Sequence, residues 1–425
     1  MKEFLLREQS RILTLIHRLM YIISFFTSSF LLIYFLKLTN WDLKIISMHY
    51  IASYASLIIG FFLVGMVIKN NNIFKIYRLG ILTQIIYLSV IMYMATEIRS
   101  YIVILGVIKG LSEALYWVPR HYMIYKMNKS KAANKFFCID QTISKIQDII
   151  LPVLMGGLIA YTTQGYTVLL AIMILILTIA FMVSSWLDLG EEEIEPLKIH
   201  KLKSFVRSEN ISKIKKMYLS DFFHGVATGG VLMQVVTMLI YIVYKSEFGL
   251  GVYSSVLALI IAIITFLMGQ YVKDDKFEKI LKILCILTVV VMLGLVYKVN
   301  DITLILYSVI TGISFSIINI IGNANLVKLI RKDNVKEYTL EHIMLRETAI
   351  GVGRIVGYTV LYNIGSLSNN INSLKMMLLF LTICITMRVV EIIFSLKERD
   401  EHTIHALSIL KLNMRAFKFY LKKQI

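Results

Sequence analysis

Thr167-Val-Leu-Leu-Ala-Ile-Met-Ile-Leu-Ile-Leu-Thr-Ile-Ala-Phe-Met-Val-Ser-Ser-Trp186 is a run without a single ionisable side chain. Coiled as an α-helix it reaches about 30 Å, the thickness of a bilayer's hydrocarbon core, with its backbone polar groups satisfied internally. Outward from it, comparable runs lie at 19–36, 45–68, 79–96, 101–125, 136–161, 217–244, 250–271, 280–297, 302–328, 342–363 and 376–396. The composition agrees, with 57% hydrophobic and 17% charged residues and a mean hydropathy of +0.73. No water-soluble core accommodates so much apolar surface. The chain reads as an all-α polytopic membrane protein of about twelve transmembrane helices.

An even number of spans puts both termini on one side. Most of the 45 Lys and Arg residues fall in segments on that side. The opposite loops hold only Lys37, Lys44, Arg99, Lys245, Lys298 and Lys375. Such an asymmetry predicts cytoplasmic termini, and it accounts for the net charge of +18 without nucleic acid. Arg7, Arg11 and Arg18 precede the first span and no small-residue cleavage site follows it, so an uncleaved anchor is expected. Cys138, Cys285 and Cys384 are scattered through apolar runs, where they read as small buried residues. Neither a metal nor a cofactor is expected.

The longest termini-side loop, 188–216, divides the spans six and six. It opens with Glu191, Glu192, Glu193 and Glu195, passes Pro196 and ends basic at Lys213, Lys215 and Lys216, the composition of a linker, with a surface helix expected over 200–215. The expected units are 1–187, 188–216, 217–397 and a tail, 398–425. The halves echo each other. Gly65, Lys69 and Lys75 recur as Gly269, Lys273 and Lys279, and Asp140, Lys145 and Gly156 recur as Glu341, Arg346 and Gly357. Duplicated helical bundles are a common build for secondary transporters, with the substrate site between the halves.

With these features the chain resembles the major facilitator superfamily over residues 12–396. That family carries, after its second span, a loop running Gly, three residues, Asp, then basic residues about a further Gly. Gly65, Lys75, Arg78 and Gly80 fit it, while Lys69 stands at the acidic position. In the second half Gly269, Asp274 and Lys276 fit more loosely. The resemblance implies two six-helix bundles and alternating-access transport through a cavity lined mainly by the first and fourth helix of each.

Ionisable groups at bilayer depth are costly and mark sites by default. In the fourth span Lys109, Glu113, Trp117 and then Arg120 or His121 share one face at helical spacing. Glu113 is the expected substrate contact or proton carrier, with Glu347 next, and an intrahelical ion pair with Lys109 is the plainer alternative. Asn319 and Asn323 occupy the corresponding span of the second half, and Arg354 lies deep in the eleventh. Asp140, Lys145 and Asp148 open the fifth span, and Glu341, Arg346 and Glu347 the eleventh, where a salt-bridge network closing the cytoplasmic side is expected. Asp221 beside His224 is a further proton-handling candidate. Gly156, Gly157, Gly351, Gly353 and Gly357 read as packing positions. Pro119 and Pro152 predict kinks.

Ile404, Leu407, Leu410, Met414, Phe417 and Leu421 recur among Lys411, Arg415, Lys418, Lys422 and Lys423. That pattern is a basic amphipathic helix suited to anionic lipid, with a partner-binding helix as the alternative. No Gly-x4-Gly-Lys-Ser/Thr loop, zinc-protease helix or nucleophile elbow occurs. The expectation is a monomeric, proton-coupled secondary transporter of a bacterial plasma membrane that moves a small or amphiphilic molecule. A lipid flippase and a sensor acting through its tail are the alternatives.

Overall fold

The structure, a computed structural model, describes residues 2–69, 72–94, 97–127, 132–188, 196–207, 211–227, 230–271, 277–332, 339–365 and 370–397. The tail, 398–425, and the second copy of the loop signature at 272–276 lie outside them. The regular structure described is helical: α1 (Lys2–Leu38), α2 (Leu43–Val67), α3 (Ile73–Tyr93), α4 (Ile98–Met127), α5 (Ala132–Tyr161), α6 (Gly165–Val183), α7 (Ile199–Arg207), α8 (Ile211–Ala227), α9 (Val231–Tyr244), α10 (Glu247–Tyr271), α11 (Phe277–Tyr297), α12 (Asp301–Lys332), α13 (Thr339–Ile364) and α14 (Asn370–Lys397).

Eleven stretches are long and apolar enough to cross a membrane, Met217–Tyr244 counting as one. Helix α13, with 26 residues, matches them in length. Its Glu341, Arg346, Glu347 and Arg354 make it too polar for that criterion, and it supplies the twelfth crossing. The apolar side chains that remain exposed explain the environment. Ile286, Val290 and Leu293 of α11 are 64%, 57% and 53% exposed at helical spacing, a stripe that only lipid would cover. This is a multi-pass membrane protein.

The seventh crossing leaves the helical conformation at Gly230. Helix α8 ends at Ala227 and α9 starts after Gly230, whose φ of 140° is a backbone state that side chains other than glycine's rarely adopt. The expected linker helix over 200–215 is shorter, Ile199–Arg207, because α8 already begins at Ile211 and carries the chain into the bundle. Helix α7 buries Phe205, and Leu197 just before it donates its backbone N–H to the Gly65 carbonyl of α2 at 2.8 Å.

Glycines set how closely the helices approach. Gly106 and Gly110 of α4 lie against the His49 and Ser53 carbonyls of α2, and a Cβ on Gly80 of α3 would sit 2.6 Å from the Tyr116 backbone nitrogen. Helices α2, α3 and α4 therefore pack as one slab. Gly225 of α8 and Gly353 of α13 interlock in the same way, each against a backbone carbonyl of the other helix. Among the described residues, two main seams join the halves. In one, Gly351 and Gly65 bring Ile58 of α2 and Met344 of α13 to the line of contact. In the other, Gly156 of α5 rests on the Glu247 carbonyl and Gly251 of α10 on the Pro152 carbonyl. Gly157 has nothing closer than 3.8 Å to the position of a Cβ and creates no close approach.

Candidate functional site

Lys109 and Glu113 stand one turn apart on α4 and pair at 3.8 Å, with side chains 12% and 26% exposed. Counted from the helix ends opposite the termini, Lys109, Tyr54 of α2 and Arg354 of α13 lie about 15–17 Å along their helices, near mid-bilayer. They converge on a stack of tyrosines. Tyr358 of α13 stacks on Tyr50 with centroids 4.8 Å apart and on Tyr54 at 5.7 Å, across the seam between the halves. The Lys109 ammonium sits 5.1 Å from the Tyr50 ring centre, and the Arg354 guanidinium 4.9 Å from that of Tyr54. A ring face attracts a cation, and more so away from water. The Tyr358 hydroxyl donates to Gln234 of α9. Gly230, at the start of α9, joins the group, since a Cβ on it would lie 3.0 Å from the Tyr54 hydroxyl.

Among the described residues, the charged groups sharing this site are thus two cations and one carboxylate. Lys109 has Glu113 as its counter-ion. Arg354 has no carboxylate partner among the described residues, and its buried Nε lacks a hydrogen-bond partner.

Trp117 and Arg120, which share a helical face with Glu113, belong to a different cluster one to two turns nearer the termini end. There the Arg120 guanidinium lies 5.0 Å from the Trp117 ring, and His17 of α1 meets the Tyr116 hydroxyl at 3.0 Å. Asn319 and Asn323 fall in α12, where their side chains lie outside the described residues.

The charges at the start of α5 and α13 pair inside their own halves. Arg18 of α1 meets Asp140 at 2.9 Å, with side chains 8% and 6% exposed. Lys145 meets Asp148 at 3.3 Å, and the Tyr21 hydroxyl donates to Asp148. In the second half Arg346 meets Asp221 of α8 at 3.3 Å. Glu341 is buried and Glu347 partly buried on α13. Each half thus ties its first crossing to its fifth by an ion pair, with the signs exchanged.

An ion pair that does cross between the halves lies at the far end. Lys37 of α1 pairs with Glu247 of α10, and the Tyr166 hydroxyl of α6 donates to the same carboxylate at 3.0 Å. Sequence reading missed this pair and the tyrosine stack. The spacing of Tyr50 to Tyr54, and of Arg354 to Tyr358, was a usable signal, as each pair shares a helix face one turn apart. Among the described residues, no three His, Cys, Asp or Glu side chains gather as a metal would require.

The family model of the Major Facilitator Superfamily matches residues 13–340. Among curated proteins none matches the sequence. Solved structures do match. The nucleoside transporter NupG is similar at a TM-score of 0.63 and 14% identity, over 92% of this chain and 99% of that one. A bacterial homologue of the iron transporter ferroportin, in an inward-facing state, gives 0.62 and 14% over 92% and 98%. A structure from work on proton-dependent oligopeptide transporters gives 0.61 and 11% over 96% and 99%. At these identities the likeness is one of fold.

Proposed function

Because this chain belongs to the major facilitator superfamily, and so is a secondary transporter rather than an enzyme, we propose that it moves a small molecule by proton-coupled alternating access, with Glu113 carrying the proton. The carrying observation is the Lys109–Glu113 pair at mid-depth, beside Arg354 and the tyrosine stack that bridges the halves. A carboxylate there must be reached from each side in turn, and protonation would release Lys109 from its counter-ion. That change of charge is what couples a proton to a substrate.

In the proposed cycle Lys37 and Glu247 hold the far side shut. On the termini side Asp140, Lys145, Asp148 and Arg346 keep the pairs inside their own halves, which leaves Glu341 and Glu347 to pair across the halves when that side closes. Trp117 and Arg120 edge the path from the termini side to the centre, and Asn319 and Asn323 are the proposed polar contacts of the second half. The basic loops support cytoplasmic termini. A bacterial plasma membrane is the proposed location, a monomer the proposed unit, and anionic lipid the proposed partner of the tail.

The test is uptake into proteoliposomes under an imposed pH gradient, with Glu113→Gln alongside. Accumulation that depends on the gradient, with Glu113→Gln exchanging substrate but failing to concentrate it, is the expected result. If no solute moves while fluorescent lipids cross the bilayer, a lipid flippase replaces this reading.

A further inference from the structure

Three observations at mid-depth share one sign. Arg354 is a cation without a counter-ion among the described residues, its Nε buried and unpartnered. Lys109 and Glu113 cancel each other, so the group as a whole carries one net positive charge. Helix α9 begins at Gly230 beside the Tyr54 hydroxyl, and the first backbone N–H groups of a helix have no partner within it. A helix start also carries a partial positive charge. Near the close of α8 the Val226 carbonyl lies against Gly357 of α13.

An uncompensated cation near the bilayer centre is expensive, and the tyrosine face beneath Arg354 recovers only a small part of that cost. The missing component is an anion. We propose that the site takes an organic anion whose carboxylate or phosphate group is held by Arg354, next to the start of α9, with Lys109 as the second cation. A guanidinium over a ring keeps its N–H edge free, and that edge matches two oxygens of a carboxylate or phosphate. A cationic substrate would instead meet Lys109 and Arg354 with only Glu113 to offset them. Arg354 is then the residue that sets the sign of the substrate.

This inference rests on the transporter reading, yet binding tests it without transport. The purified full chain in nanodiscs is melted in the presence of small compounds matched in size but not in charge. The series are benzoate, phenyl phosphate, benzamide and benzylamine, and the aliphatic carboxylates from acetate to octanoate with their amides and amines. Stabilisation by anions, and not by the matched amides or amines, is expected. Benzoate against phenyl phosphate tells a carboxylate from a phosphate. Arg354→Gln should weaken the anion by about tenfold to a hundredfold, as loss of one charged hydrogen-bonded contact implies, and Arg354→Lys should recover part of it. The melting point without ligand reports whether each variant folds, and Lys109→Gln gives a second, smaller loss should Arg354→Gln not fold. Stabilisation by amines, equal anion binding after both substitutions, or no effect of any anion overturns the proposal. Flux separates the two readings. Anion binding without uptake under any gradient sinks the transporter and leaves the anion site. Gradient-driven uptake of an amine sinks the anion site and leaves the transporter.

Discussion

At the far end Lys37 reaches across from the first half to Glu247 of the second, and these side chains are 41% and 11% exposed. At the termini end Arg18 and Asp140 stay within the first half at 8% and 6%, and Arg346 and Asp221 within the second at 28% and 15%. Breaking a dry pair leaves an unpaired buried charge, while a wet pair exchanges its partner for water at little loss. A half that moves as one body must keep its internal pairs, and an alternating machine must release the pairs that cross. Burial sorts these ion pairs by that rule.

The comparison breaks first at its dry member. Arg18→Gln leaves Asp140 buried without its guanidinium and should cost about 3–5 kcal/mol, read as a lower melting point in nanodiscs, the same whichever side the protein faces. Asp221→Asn removes the wetter equivalent in the second half, and its expected loss is about 1–2 kcal/mol by the same measurement. A larger loss for Asp221→Asn than for Arg18→Gln would overturn the ranking by burial. The smallest stability effect belongs to the crossing pair. Glu247→Gln should change the melting point by less than about 1 kcal/mol in stability, yet raise alkylation from the far side of a cysteine placed at Tyr34. Lys37→Glu combined with Glu247→Lys should return alkylation to the parent level. If alkylation stays unchanged in Glu247→Gln, Lys37 and Glu247 do not hold that side shut.

Much of the fold could be read from the sequence because apolar runs follow directly from bilayer thickness. Even α13, with four charges, stood out by its length and by its echo of α5. Lys109 with Glu113 was legible because neighbours one turn apart on a helix must share a face. The rest of the site was not. Trp117 and Arg120 lie on that same face, but each turn of helix adds about 5.4 Å of depth, and at such distances a face no longer implies a shared pocket. Arg18 with Asp140 and Lys37 with Glu247 join positions far apart in the chain, and only the packing of helices brings them together. The tyrosine stack was hidden by number, since 24 tyrosines occur and most membrane proteins place such residues at the interface.

The linker carries a consequence for how far the protein opens. Its Leu197 is hooked to α2 in the first half through the Gly65 carbonyl, and its Phe205 ring meets His342 of α13 in the second, centroids 6.5 Å apart. The stretch between them is a leash. Coiled as α7 it reaches about 12 Å, and drawn straight about 28 Å. While both hooks hold, the mouth on the termini side is limited by that leash, and a bulkier cargo has to wait until one hook lets go.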